Sequence, residues 1–165
     1  MIFTLVMSVI IEQEEYMVGI TAYLSDLGLS CPVNEESSKS EVYGVLTFLA
    51  PEVLRGGIYT TASDVYSFGM IMWMLSAGVR PYGDKPHNRQ LIEEICSGLI
   101  RPELIDGTPR VFAALMSQCL DSNPSNRPTA PQIYEKVRNW TFENKNNFLE
   151  MIIYRFIMMQ FISVV

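Results

Sequence analysis

Between Val65 and Leu75 the chain reads Val-Tyr-Ser-Phe-Gly-Met-Ile-Met-Trp-Met-Leu, apolar around almost the whole circumference of a helix. Such a helix has no face to turn to water and belongs at the centre of a domain. The spacing predicts Ser63 as its N-cap, with the Asp64 carboxylate set against the positive end of the helix dipole. Gly78 ends it and Pro81 prevents its continuation. The rest of the fold has to enclose this one element.

Flanking signals supply the enclosing pieces. Asn88 to Cys96 repeats Leu91, Ile92 and Ile95 at helical spacing, with Glu93 and Glu94 on the solvent side. Thr108-Pro109 reads as an N-cap followed by proline at the first helical position, leading into Val111, Phe112, Leu115, Met116, Cys119 and Leu120. A further helix is expected from near Thr129, carrying Ile133, Tyr134, Val137 and Trp140. Upstream, Ala22 to Leu24 reads as a short strand, Ser25-Asp26-Leu27-Gly28 as the turn leaving it, and Leu29 to Glu41 as a polar loop. The expectation is a mainly α unit with a short strand or strand pair near the N-terminus.

Composition narrows the function classes. In 165 residues, hydrophobic side chains make 48% and charged ones 18%, which excludes a disordered chain or a coiled coil. A net charge of -6 gives a nucleic-acid backbone nothing to condense on, so no nucleic-acid partner is expected. The three cysteines, Cys31, Cys96 and Cys119, are widely spaced, which fits buried thiols in a reducing, cytoplasmic setting. The single histidine, His87, cannot build a multi-histidine metal centre.

Both ends are apolar. Met1 to Ile11 lacks the preceding basic residue of a signal peptide and is rich in β-formers, so it reads as a strand. The tail at 148–165 would reach about 27 Å as a helix, a marginal span, and Arg155, Glu150 and Gln160 offset its gain on insertion. It is expected to pack on the domain or form an exposed extension, with no membrane partner.

An ordered series of short motifs goes further. Asp26-Leu27-Gly28, Ala50-Pro51-Glu52, Ser63 to Gly69 with Trp73, Asn123-Pro124 and Arg127-Pro128-Thr129 together resemble the C-terminal lobe of a eukaryotic protein kinase domain. Trp73 and the Arg-Pro-Thr ending are most like the tyrosine-kinase-like group. The resemblance covers roughly Tyr23 to Trp140 and implies three segments: a divergent 1–22, a kinase-like lobe at 23–140 and an apolar extension at 141–165. It also implies ATP and magnesium as cofactors and proteins as substrates or docking partners. Asp26 matches the aspartate that binds the metal on the nucleotide phosphates, on a tight turn permitted by Gly28. On spacing alone Asp26 is an ordinary turn residue. Glu52 and Arg127 match a structural ion pair, and Asp64 an aspartate that holds the catalytic loop or simply caps the helix dipole. The segment between Asp26 and Glu52 corresponds to the activation loop, where Ser30, Ser37, Ser38, Ser40, Tyr43 and Thr47 offer hydroxyls for phosphorylation.

Other parts of the chemistry are not matched. The sequence shows no glycine-rich phosphate loop and no strand lysine with a helix glutamate partner, and Met1 to Ile11 contains no His, Arg, Asp or Asn. Val45 stands where the family often has threonine. The expectation is a truncated kinase domain fragment, inactive by itself. The alternatives are a pseudokinase-like protein-binding module and a decayed gene product.

Overall fold

A computed structural model describes residues 6–14, 17–25 and 44–139. The chain divides into two compact units; the described part of one is 44–128, and that of the other is 6–14, 17–25 and 129–139.

In the second unit, strands β1 (Val6–Glu14) and β2 (Met17–Ser25) pair antiparallel. The register sets Val6 against Ser25, Ile10 against Thr21 and Glu14 against Met17. The expected strand pair is therefore present, and the stretch Ala22 to Leu24 lies inside the longer β2.

The first unit is helical. A 3-10 turn (Leu46–Phe48) leads into the short α1 (Pro51–Leu54) and then α2 (Thr61–Ala77), α3 (Arg89–Ser97) and α4 (Arg110–Cys119), with a second 3-10 turn at Pro124–Asn126. The second unit adds α5 (Ala130–Arg138). As the apolar circumference demanded, α2 is enclosed: Val65, Tyr66, Phe68, Met70, Ile71 and Met72 are all buried. Helix α4 crosses it so closely that a Cβ placed on Gly69 would stand 2.9 Å from Cys119 Cβ and from Leu120. Glycine there is what lets the two helices approach. Leu49, Ala50, Val53, Tyr66 and Met70 form a core, with Phe48, Leu54, Tyr59, Tyr82 and Leu120 packed against it.

Two helix starts differ from expectation. Helix α2 begins at Thr61, because Thr60 and not Ser63 is the last extended residue. Thr60 Oγ1 accepts from the Ser63 amide at 3.2 Å while the Thr60 amide donates to Ser63 Oγ at 2.9 Å, so Ser63 is the inner member of a capping box. Asp64 still lies in the first turn. At α4, Pro109 has an extended ψ of 135° and serves as the N-cap itself, so Arg110 is the first helical residue. Helix α3 lies within one residue of the expected Asn88 to Cys96 stretch at each end; Asn88 Oδ1 accepts from the Leu91 amide, and Gly98 closes the helix in the left-handed region.

Candidate functional site

Three of the sequence motifs meet at Arg127. Ala50 is the extended N-cap of α1 and Pro51 follows at its first position, which places Glu52 in the first turn. Arg127 follows the second 3-10 turn with extended backbone, ψ 143°. Its guanidinium donates from Nη1 to Glu52 Oε1 at 2.6 Å and from Nη2 to Glu52 Oε2 at 2.8 Å, across 75 residues. Nη1 also donates to the Ala62 carbonyl at 2.9 Å, and Nε to the Asp121 carbonyl at 2.8 Å. The guanidinium lies 5.0 Å from the centre of the Tyr66 ring. A forked guanidinium with four such hydrogen bonds fixes geometry; the Arg127 side chain is 0% exposed and that of Glu52 is 22% exposed.

Asp64 is buried in the first turn of α2. Trp73, in the half-buried C-terminal part of the same helix, donates from Nε1 to the Glu103 carbonyl at 2.7 Å and ties that helix to the loop before α4. Thr47 sits in the first 3-10 turn at 4% exposure, so a modifying enzyme reaches its hydroxyl only after the turn opens. Asp26, Gly28, Ser30, Ser37, Ser38, Ser40 and Tyr43 lie outside the described residues.

A second group gave no motif. Tyr66 is 1% exposed, and burial pushes its phenol up, with the Arg101 and Arg127 guanidiniums pulling the other way. Burial likewise pushes up the Tyr82 phenol, and neighbouring Tyr66 adds to the shift. Tyr82 has a left-handed backbone, φ 53°, rare for a side chain of its size. Tyr82 Oη and Arg101 Nη1 are buried without a hydrogen-bond partner among the described residues. The Pro81-Tyr82-Gly83 turn was the available signal for Tyr82.

The family of protein tyrosine and serine/threonine kinases matches residues 9–137. The chain belongs to the protein kinase family. Relatives include a probable serine/threonine-protein kinase of Dictyostelium discoideum, 33% identical over 118 residues, which covers 72% of this chain and 7% of that protein. The dual specificity protein kinase shkA of the same organism is 29% identical, covering 67% of this chain and 22% of that one. Human receptor-interacting serine/threonine-protein kinase 1 is 42% identical over 100 residues, covering 58% of this chain and 15% of the relative. The chain thus spans between 7% and 22% of the length of these kinases. Within the kinase-matched region, the Glu52–Arg127 clamp is the feature that joins distant motifs into one structure. Among the described residues no helix is long and apolar enough to cross a membrane.

Proposed function

We propose that the chain is the lower, C-terminal part of a kinase domain, most like the tyrosine-kinase-like group, with 23–140 as its kinase-like body. The parent activity is transfer of the ATP γ-phosphoryl group to Ser, Thr or Tyr hydroxyls of proteins, in a cytoplasmic setting. The single observation that carries this reading is the Arg127 clamp. It joins Ala50-Pro51-Glu52, the start of α2 and Arg127-Pro128-Thr129, the same motifs that carried the resemblance. In that reading Asp26 is the metal-binding aspartate, Ser37, Ser38, Ser40 and Tyr43 are modification sites, and Glu52, Asp64, Trp73 and Arg127 are structural.

A polypeptide of these 165 residues does not itself transfer phosphate. Phosphoryl transfer rests on positioning and on charge stabilisation by a phosphate-cradling loop, a lysine and a base for the acceptor hydroxyl, and the sequence contains no match to them. The test is incubation of the purified chain with γ-labelled ATP, magnesium and generic acceptor proteins. No label transfer and no saturable nucleotide binding are expected; transfer would overturn the inactivity. The reading frame upstream in the transcript tests the parentage. A glycine-rich loop, lysine and His-Arg-Asp there support it, and an upstream frame without them supports a non-catalytic docking module instead.

A further inference from the structure

Ser67 is out of character in its helix. Between Val65 and Met72 every other residue is apolar, aromatic or glycine, and alanine would be both a better helix former and a better core residue. A serine inside a helix commonly turns its hydroxyl back onto the carbonyl four residues earlier. That contact exists here, to the Ser63 carbonyl at 3.2 Å, but the shorter one leaves the helix: Ser67 Oγ donates to the Phe48 carbonyl at 2.8 Å, across 19 residues. One hydrogen serves two acceptors, and the geometry favours Phe48.

The acceptor is well placed to matter. Phe48 ends the 3-10 turn that leads into Ala50-Pro51-Glu52. The turn's own hydrogen bonds are local, from the Phe48 amide to the Val45 carbonyl at 2.9 Å and from the Leu49 amide to the Leu46 carbonyl at 3.2 Å. They shape the turn without saying where it sits. Downstream, Glu52 is fixed by Arg127; upstream of Ala50, Ser67 supplies the corresponding long-range tie.

We propose that Ser67 is a positioning residue that locks the Phe48 carbonyl onto α2 and so fixes where the 44–50 segment joins the core. This rests on the kinase reading, in which ordering of that segment gates phosphoryl transfer. The test is hydrogen exchange on the full chain, comparing the wild type with Ser67→Ala and Ser67→Thr. Loss of one hydroxyl tie is expected to speed exchange of the Phe48 and Leu49 amides about threefold to tenfold, with the α4 amides from Phe112 to Cys119 unchanged. Ser67→Thr, which keeps the hydroxyl, restores protection. Unchanged exchange at 48–49, an equal rise in α4, or no rescue by threonine overturns the role. Failure of the kinase reading would appear in the phosphate-transfer assay and leave this exchange pattern standing, whereas failure of the exchange pattern removes Ser67 alone.

Discussion

Two Arg–Glu pairs in the same helical unit make the same chemical bond and have different consequences. Arg127 and Glu52 bring two distant parts of the chain together, with the arginine side chain 0% exposed and four carbonyl or carboxylate acceptors around it. Arg89 and Glu93 are neighbours on one face of α3, 3.0 Å apart, with side chains 92% and 66% exposed. Water competes freely for the second pair and hardly at all for the first. The lesson is that the first pair's weight lies in what its loss leaves behind: a carboxylate and two backbone carbonyls that folding has already taken from water.

The largest predicted effect follows from that asymmetry. Arg127→Met strands the Glu52 carboxylate and should cost about 3 to 5 kcal/mol, measured by denaturant unfolding. Glu52→Gln keeps an acceptor for the guanidinium and should cost less, about 1.5 to 3 kcal/mol. If the two variants lose the same small amount, the clamp is no more than a surface contact and the comparison fails.

How far the sequence foretold this depended on whether a feature is local. The α3 helix was legible to within a residue at each end because the periodicity of Leu91, Ile92 and Ile95 is a short-range signal. The start of α2 was displaced because Thr60 and Ser63 both have capping hydroxyls, and only the backbone decides which one is the last extended residue. Glu52 and Arg127 were paired through resemblance to a family; nothing in their local spacing couples residues 75 apart. Ser67, Tyr82 and Arg101 escaped because a side chain's distant partner leaves no trace in periodicity. Asp26, matched to a metal-binding role by resemblance, and the loop serines, matched to phosphorylation sites, lie outside the described residues.

A second measurement probes burial without charge. Gly69→Ala pushes a methyl group to 2.9 Å from Cys119 and Leu120 at the α2–α4 crossing. Overpacking of about 1 to 3 kcal/mol is offset in part by roughly 1 kcal/mol of helix propensity, so thermal unfolding should show a net loss of about 1 kcal/mol. A gain in stability would mean the helices can move apart, and that the core holding Arg127 is softer than the clamp requires.

The tyrosines beside the clamp give a pH-dependent comparison of smaller size. Burial raises the Tyr66 and Tyr82 phenols above their unfolded value of about 10, with Arg101 lowering both in part. A group with a raised folded pKa contributes stability that is complete below the unfolded pKa and is lost as pH climbs past it. Stability should therefore fall above about pH 10, and Tyr82→Phe should make that fall shallower. At neutral pH the same variant should be neutral or slightly stabilising, because the Tyr82 hydroxyl is buried with no partner among the described residues. A loss of more than about 1 kcal/mol at pH 7 would show that the hydroxyl is hydrogen-bonded in solution.

The smallest effect belongs to the exposed pair and is as informative as the largest. Arg89 precedes Glu93 by one helical turn, the less favourable order for a pair along a helix, since each charge then opposes the helix dipole. Arg89→Ala should change stability by less than about 0.5 kcal/mol, and that difference should shrink further when unfolding is repeated in about 1 M salt. Arg127→Met should lose nearly as much in high salt as in low, because its partners are screened by protein and not by mobile ions. If salt erased both effects equally, burial would not be what separates the two pairs, and the kinase-like clamp would have to owe its place to something other than the desolvated fork at Arg127.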